Sequence, residues 1–119
     1  MTKSLEEKAV DIKGKKYVLV SDRILYFNEV YTKGAITTEL LSNPADTRVV
    51  IRATVSPDGL RTFTGHSQAV VGEGMVNKTA ALENAETSAV GRALAMMGIG
   101  VIESVASADE MRKAVDDDF

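Results

Sequence analysis

Between Val70 and Gly100 the chain reads VVGEGMVNKTAALENAETSAVGRALAMMGIG, and no other stretch restricts the fold as strongly. A β-like run ends in a Gly72-Glu73-Gly74 turn. Asn77 then stands at a helix N-cap position, followed by about twenty residues broken only by Gly91. Gly98 and Gly100 mark the stop, because glycine takes the left-handed conformation that closes a helix. At 100° per residue, Lys78, Ala81, Ala85, Ser88 and Arg92 share one stripe, while Leu82, Ala89, Val90, Ala93, Leu94 and Met97 form the neighbouring apolar arc. The pattern predicts one long helix with a packing face beside a smooth strip, and a cation near each end of that strip about 21 Å apart.

Upstream, the residues from Val10 to Val20 read as a short hairpin about Gly14-Lys15. Ser21 or Asp22 can cap a helix from Arg23 to Tyr31 with Ile24, Phe27 and Tyr31 on one side, and Gly34 ends it. Ala35 to Ser42 alternates as a strand, and Asn43-Pro44-Ala45-Asp46 is a turn. Ser56-Pro57-Asp58-Gly59-Leu60 fits a three-residue hairpin loop. That loop would set Ala53 opposite Phe63 and Ile51 opposite Gly65 on a core face, with Arg52 opposite Thr64 and Val50 opposite His66 on the other. The second face then gathers Arg48, Arg52, Thr54, Thr62, Thr64, His66 and Gln68, with no carboxylate on either strand. Ser107-Ala108-Asp109-Glu110 is a capping box that opens a short final helix. The expectation is an α+β fold: an antiparallel β-meander of three strands, plus an N-terminal hairpin, packed against one long helix. Residues 1–10 would be a flexible lead-in, 11–106 the domain, and 107–119 a short helix with an acidic tail.

A chain of 119 residues, 45% hydrophobic, supports one modest core. It has no cysteine for disulfides or thiolate metal sites, no apolar leader and no run of ~20 apolar residues, so a soluble, cytoplasmic protein is expected. Six of the 17 acids (Glu103, Asp109, Glu110, Asp116, Asp117, Asp118) and two of the 14 bases (Arg112, Lys113) lie beyond Ile102, leaving 12 bases against 11 acids before it. A near-neutral body can still bind phosphate, because the field on one face decides.

Catalysis has little to work with. One histidine, no cysteine and no serine elbow exclude the usual nucleophile sets. Gly72 to Thr79 departs from the phosphate-binding loop G-x-x-x-x-G-K-[ST] at Asn77, which stands for its second glycine, and no acid-ended apolar strand offers to hold magnesium. Glu83 and Glu86 lack a third metal ligand, and Glu86, placed in the apolar arc, is expected to meet an arginine such as Arg23. No enzyme activity, cofactor or metal is expected. Lys78 and Thr79 sit instead where backbone N–H groups and the helix dipole attract a phosphate.

The residues Asn77-Lys78-Thr79, Leu82-Glu83-Asn84 and Glu86-Thr87-Ser88-Ala89-Val90-Gly91-Arg92-Ala93-Leu94 carry a resemblance to single-strand annealing proteins. These are the phage Erf, Sak and Redβ groups and the eukaryotic recombination mediator Rad-fifty-two. Tyr17-Val18, Tyr26-Phe27 and Gly34 to Leu40 extend the resemblance over roughly residues 11 to 102. It implies single-stranded DNA binding and ATP-independent annealing of complementary strands in homologous recombination, by a homo-oligomeric ring or filament. Arg92 aligns with a basic residue that holds the DNA backbone in the eukaryotic relatives, whereas Gly91 and Ala95 stand where those relatives carry further bases. The DNA-binding residues expected are Arg92, Lys78, Arg52, Arg48, Thr79, His66 and Arg61. Asp116-Asp117-Asp118-Phe119 looks like the tails with which bacterial single-stranded-DNA-binding proteins recruit repair or replication partners. A coating protein working through that tail, and a DNA-independent assembly or inhibitor protein, are the alternatives.

Overall fold

Caps and turns become seven elements in the computed structural model, which describes residues 5–72, 77–102, 105, 106, 108 and 111. Among the described residues these are β1 (Val10–Ile12), β2 (Lys15–Tyr17), α1 (Val20–Val30), β3 (Ala35–Leu40), β4 (Arg48–Ser56), β5 (Phe63–Val70) and α2 (Lys78–Met96). β1 and β2 form a two-stranded ribbon of their own, and the meander runs β3-β4-β5 with β3 and β5 at its edges. The α+β meander and hairpin are therefore present. The capping box at 107–110, apart from Ala108, and the tail at 116–119 lie outside the described residues.

Helix α1 begins at Val20, ahead of the expected Arg23, with Leu19 as N-cap and no side-chain bond; Asp22 sits in its first turn instead. Gly34 is needed for space rather than for φ. A Cβ there would lie 2.6 Å from Phe27 Cζ and 2.9 Å from the Ser56 carbonyl.

The β4–β5 register pairs Val55 with Phe63, Ala53 with Gly65 and Arg52 with His66, two residues away from the expected pairing. The loop at 57–62 is the cause. Ser56 Oγ accepts the Gly59 N–H at 2.7 Å, and Asp58 Oδ1 accepts those of Leu60 at 2.8 Å and Arg61 at 2.9 Å, so the local turn consumes more chain than a three-residue loop. A shift of two preserves parity, and every side chain stays on its expected face.

Helix α2 starts as expected: Asn77 Oδ1 accepts the Ala80 N–H at 2.8 Å. It ends in a Schellman motif, with Ile99 N–H donating to Leu94 O at 3.0 Å, Gly98 N–H to Ala95 O at 2.9 Å, and Gly98 at φ 97. Both helices contribute to one core: Phe27 of α1 and Ala81, Ala85, Ala89, Ala93 and Leu94 of α2 meet Val49, Ile51, Ala53 and Val55 of β4 and Ala69 of β5.

The smooth strip of α2 is this packing face, which corrects the expectation of a free surface. Ala81 and Ala85 of the strip are at most 1% exposed, beside Ala89 of the arc, whereas Leu82, assigned to the apolar arc, is 40% exposed. Small side chains let the helix backbone approach the sheet, and Gly65 sits at the crossing: a Cβ there would lie 2.4 Å from Ala93 N and 2.6 Å from Ala89 O. Among the described residues no helix is long and apolar enough to cross a membrane.

Candidate nucleic-acid interface

Alternation along β4 buries Val49, Ile51, Ala53 and Val55 toward the helices and turns Arg48, Val50, Arg52 and Thr54 outward. On β5 the outward set is Thr64, His66 and Gln68, with His66 directly across from Arg52 and Arg48 across from Val70. β3 adds Thr37 beside Thr54 and Glu39 beside Arg52. The carboxylate missing from β4 and β5 thus arrives on the third strand, and Glu39 Oε1 forms an ion pair with Arg52 Nη2. Both side chains are about half exposed, so water screens the pair, but it still lowers the positive field of the face.

The remaining candidates are dispersed. Lys78 and Thr79 are exposed in the first turn of α2. Arg61 lies on the β4–β5 loop with its guanidinium 5.0 Å from the centroid of the Phe63 ring, a cation–π arrangement. Arg92, toward the other end of α2, is half-buried and already makes an interaction within the chain. The alanines between Lys78 and Arg92 are covered by the sheet, so these two cations do not border an open groove along the helix. What stays together is the outer sheet face with Arg48, Arg52 and His66.

The aromatic residues lie elsewhere. Tyr17 and Phe27 are buried, Tyr26 and Tyr31 pack against the core, and Phe63 pairs with Val55 on the helix side of the sheet. None of these five belongs to the polar face.

Two expectations about buried charge are reversed. Glu86 is exposed and accepts a hydrogen bond from Thr38 Oγ1 at 2.7 Å, because the helix turns that position toward the β3 edge instead of the core. Arg23 is the buried charge: fully enclosed, it donates from Nη1 to Gly91 O at 3.3 Å and from Nη2 to Ala106 O at 3.4 Å. The available signal was its spacing with Val20 and Phe27, which places a cation on the apolar side of α1. At the loop, the backbone N–H groups of Arg61 and Leu60, aided by the Arg61 charge, hold the Asp58 carboxyl below 3.8. Among the described residues no group of three His, Asp or Glu side chains could hold a metal ion.

A family model described as Slr1353 N-terminal dsRNA-binding domain-like matches residues 24–97, from within α1 through α2. No curated protein and no solved structure matches the chain. This match overturns the resemblance to the single-strand annealing proteins. The residues quoted for that resemblance form a capped helix whose alanine strip packs on a meander, a solution open to any domain that lays a close-approaching helix on three strands. They report the layer and not the lineage.

Proposed function

The chain belongs to the Slr1353 N-terminal dsRNA-binding domain-like family, matched over residues 24–97, and on that footing we propose that it is a non-catalytic nucleic-acid-binding module for double-stranded RNA. The observation that carries the choice of duplex is that the cations of the outer sheet face have no aromatic side chain beside them among the described residues. Single-strand binders gain about 1–3 kcal/mol per base by stacking bases on aromatic side chains, and the polar sheet face here holds none of the five described aromatics. Duplex RNA is held through phosphates and 2′-hydroxyls. Arg48, Arg52 and Lys78 are the cations for the former, with Thr64, His66, Gln68 and Thr79 as hydroxyl, imidazole and amide partners.

These three phosphate contacts alone imply a slope of about −2.7 on the log–log plot, or roughly a 40-fold loss of affinity between about 50 and about 200 mM salt, and any further cation on the duplex steepens it. Fluorescence anisotropy with an RNA duplex of about 20 base pairs, longer than the ~16 that a dsRNA-binding module spans, tests this beside the matching DNA duplex and single strand. The RNA duplex should bind tightest, with a slope at least that steep. Tighter binding to the single strand, or no salt-dependent binding to the duplex, would remove the proposal.

A further inference from the structure

Residues 13–16 read Lys-Gly-Lys-Lys, at the tip of the β1–β2 ribbon and ahead of the span that the family model matches. We propose that this ribbon is a separate contact for the nucleic-acid backbone, in which Lys13 and Lys15 hold phosphates of the same duplex. The inference rests on the reading of the domain as a duplex binder.

The turn itself is the first observation. Lys13 and Gly14 fill a two-residue loop with φ of 53 and 84, both positive as a type I′ turn requires. Asparagine, aspartate or glycine suits the first of those positions. Lysine does not, and Lys13 is the one non-glycine residue at positive φ among those described. Lys13 and Gly14 are both exposed, and nothing lies within 4 Å of a Cβ built on Gly14. The tip stands clear of the rest of the protein, with an unfavourable residue that offers only a charge.

Three lysines against one acid leave the tip net positive. Asp11 pairs with Lys16 across the ribbon and its Oδ1 accepts the Gly14 N–H at 3.1 Å, so the single acid of the ribbon reaches the turn and offsets one of the three lysine charges there. Glu6 and Glu7 lie in the turn that precedes Val10, at the base of the ribbon. Strand rise puts that base about 10 Å from the tip, roughly one Debye length at 0.1 M salt. Lys15 pairs with Ile12 and Lys16 with Asp11, which sends the two lysines to opposite faces.

The ribbon is also anchored. Tyr17 is buried, Val18 and Val20 are wholly enclosed, and Val18 O accepts the Ala108 N–H at 3.2 Å. A fixed arm presents its cations with less ordering to do on binding than a loose loop. The deep, narrow major groove of A-form RNA keeps side chains from its bases, so the contact is to phosphates and independent of sequence.

The test compares wild type with the double variant Lys13→Asn/Lys15→Thr on the same fluorescent RNA duplex across a salt series. Asparagine fits the left-handed turn and threonine suits a strand, so the variant should melt no lower than wild type. Two lost phosphate contacts make the log–log salt slope shallower by about 1.8, with an affinity loss of at least about tenfold near 50 mM salt. Lys15→Gln alone leaves the turn untouched and should change the slope by about 0.9. Lys13→Arg/Lys15→Arg should retain binding. If wild type binds the duplex and the double variant binds it equally with the same slope, this inference fails while the proposed function stands. If wild type does not bind the duplex, both fail. If the variant keeps duplex binding but loses binding to phosphatidylserine vesicles, the ribbon faces a membrane surface and the inference is overturned.

Discussion

Replacing Gly65 by alanine tests the layered core most severely. The added Cβ would lie 2.4 Å from Ala93 N, 2.6 Å from Ala89 O and 2.9 Å from Arg92 C. Ordinary contact needs about 3.5 Å, so the shortfall is about 1 Å. Every obstacle is helix backbone, which no rotamer change can remove, and α2 must lift from β5 by that distance. A gap of ~1 Å forfeits a quarter to a half of each dispersion contact across it, and the contacts concerned are those of Ala85, Ala89 and Ala93 with Ile51, Ala53 and Ala69. The buried methyl and the stiffer strand return about 1 kcal/mol, so the expected net loss is about 3 kcal/mol, the upper part of the range for overpacking. With a urea m-value of about 1.5 kcal/mol/M, the midpoint in a far-UV circular dichroism melt should fall by about 2 M at unchanged m. Gly91→Ala is the comparison. Its Cβ meets Val20 Cγ2 at 2.6 Å, a side chain that can shift, and alanine gains helix propensity of ~1 kcal/mol; a loss below about 1.5 kcal/mol is expected. Stability of Gly65→Ala within about 0.5 kcal/mol of wild type, the range of an ordinary surface substitution, would mean that α2 does not cross the sheet at this point.

Asn77→Ala removes the side-chain acceptor for Ala80 N–H and should cost about 1 kcal/mol in the same melt; Asn77→Asp should restore it. Glu39→Gln releases Arg52 from its ion pair and should raise affinity for the RNA duplex about threefold near 50 mM salt, with a slope steeper by up to ~0.9; a variant identical to wild type would show that Arg52 is not a phosphate contact. The Asp58 carboxyl is lowered below 3.8 by the Arg61 and Leu60 N–H groups. Its stabilising contribution is therefore complete above the unfolded pKa and lost as pH falls through the folded one. A carbon NMR titration should place the Asp58 midpoint below 3.8, and Asp58→Asn should remove that part of the acid dependence of stability.

Local signals carried the elements and tertiary signals were missing where the reading went astray. Asn77 and Gly98 specify the two ends of α2 through bonds to neighbours a few residues away, and those caps form as expected. The β4–β5 register slipped by two because Asp58 accepts two N–H groups at once, a choice that spacing does not reveal; parity nevertheless kept Arg52 and His66 on the outer face. Helical periodicity separates the stripe of Lys78, Ala81, Ala85, Ser88 and Arg92 from the apolar arc without saying which of the two meets the sheet. Gly65 decides that, and its role depends on a helix distant in sequence. Glu39 escaped notice as the partner of Arg52 for the same reason: β3 had to be placed beside β4 first. Within the candidate site, the outward arginines were legible from alternation, and their neutralisation and dispersal were not.

Packing and recognition compete for the same helix. To lie close on the meander, α2 presents alanines where a nucleic-acid-binding helix would carry bases, and its 19 residues hold only Lys78 and Arg92 against Glu83 and Glu86. On the proposed interface positive charge then comes from several elements: Arg48 on the sheet, Lys78 at the helix start, and Lys13 and Lys15 on the ribbon. Arg52 is partly offset by Glu39. Four or five phosphate contacts without base stacking correspond to binding in the non-specific range, about 10⁻⁴ to 10⁻⁶ M at physiological salt. Nanomolar affinity from a single chain at that salt would require contacts beyond these residues, and would refute the placement of the interface rather than strengthen it.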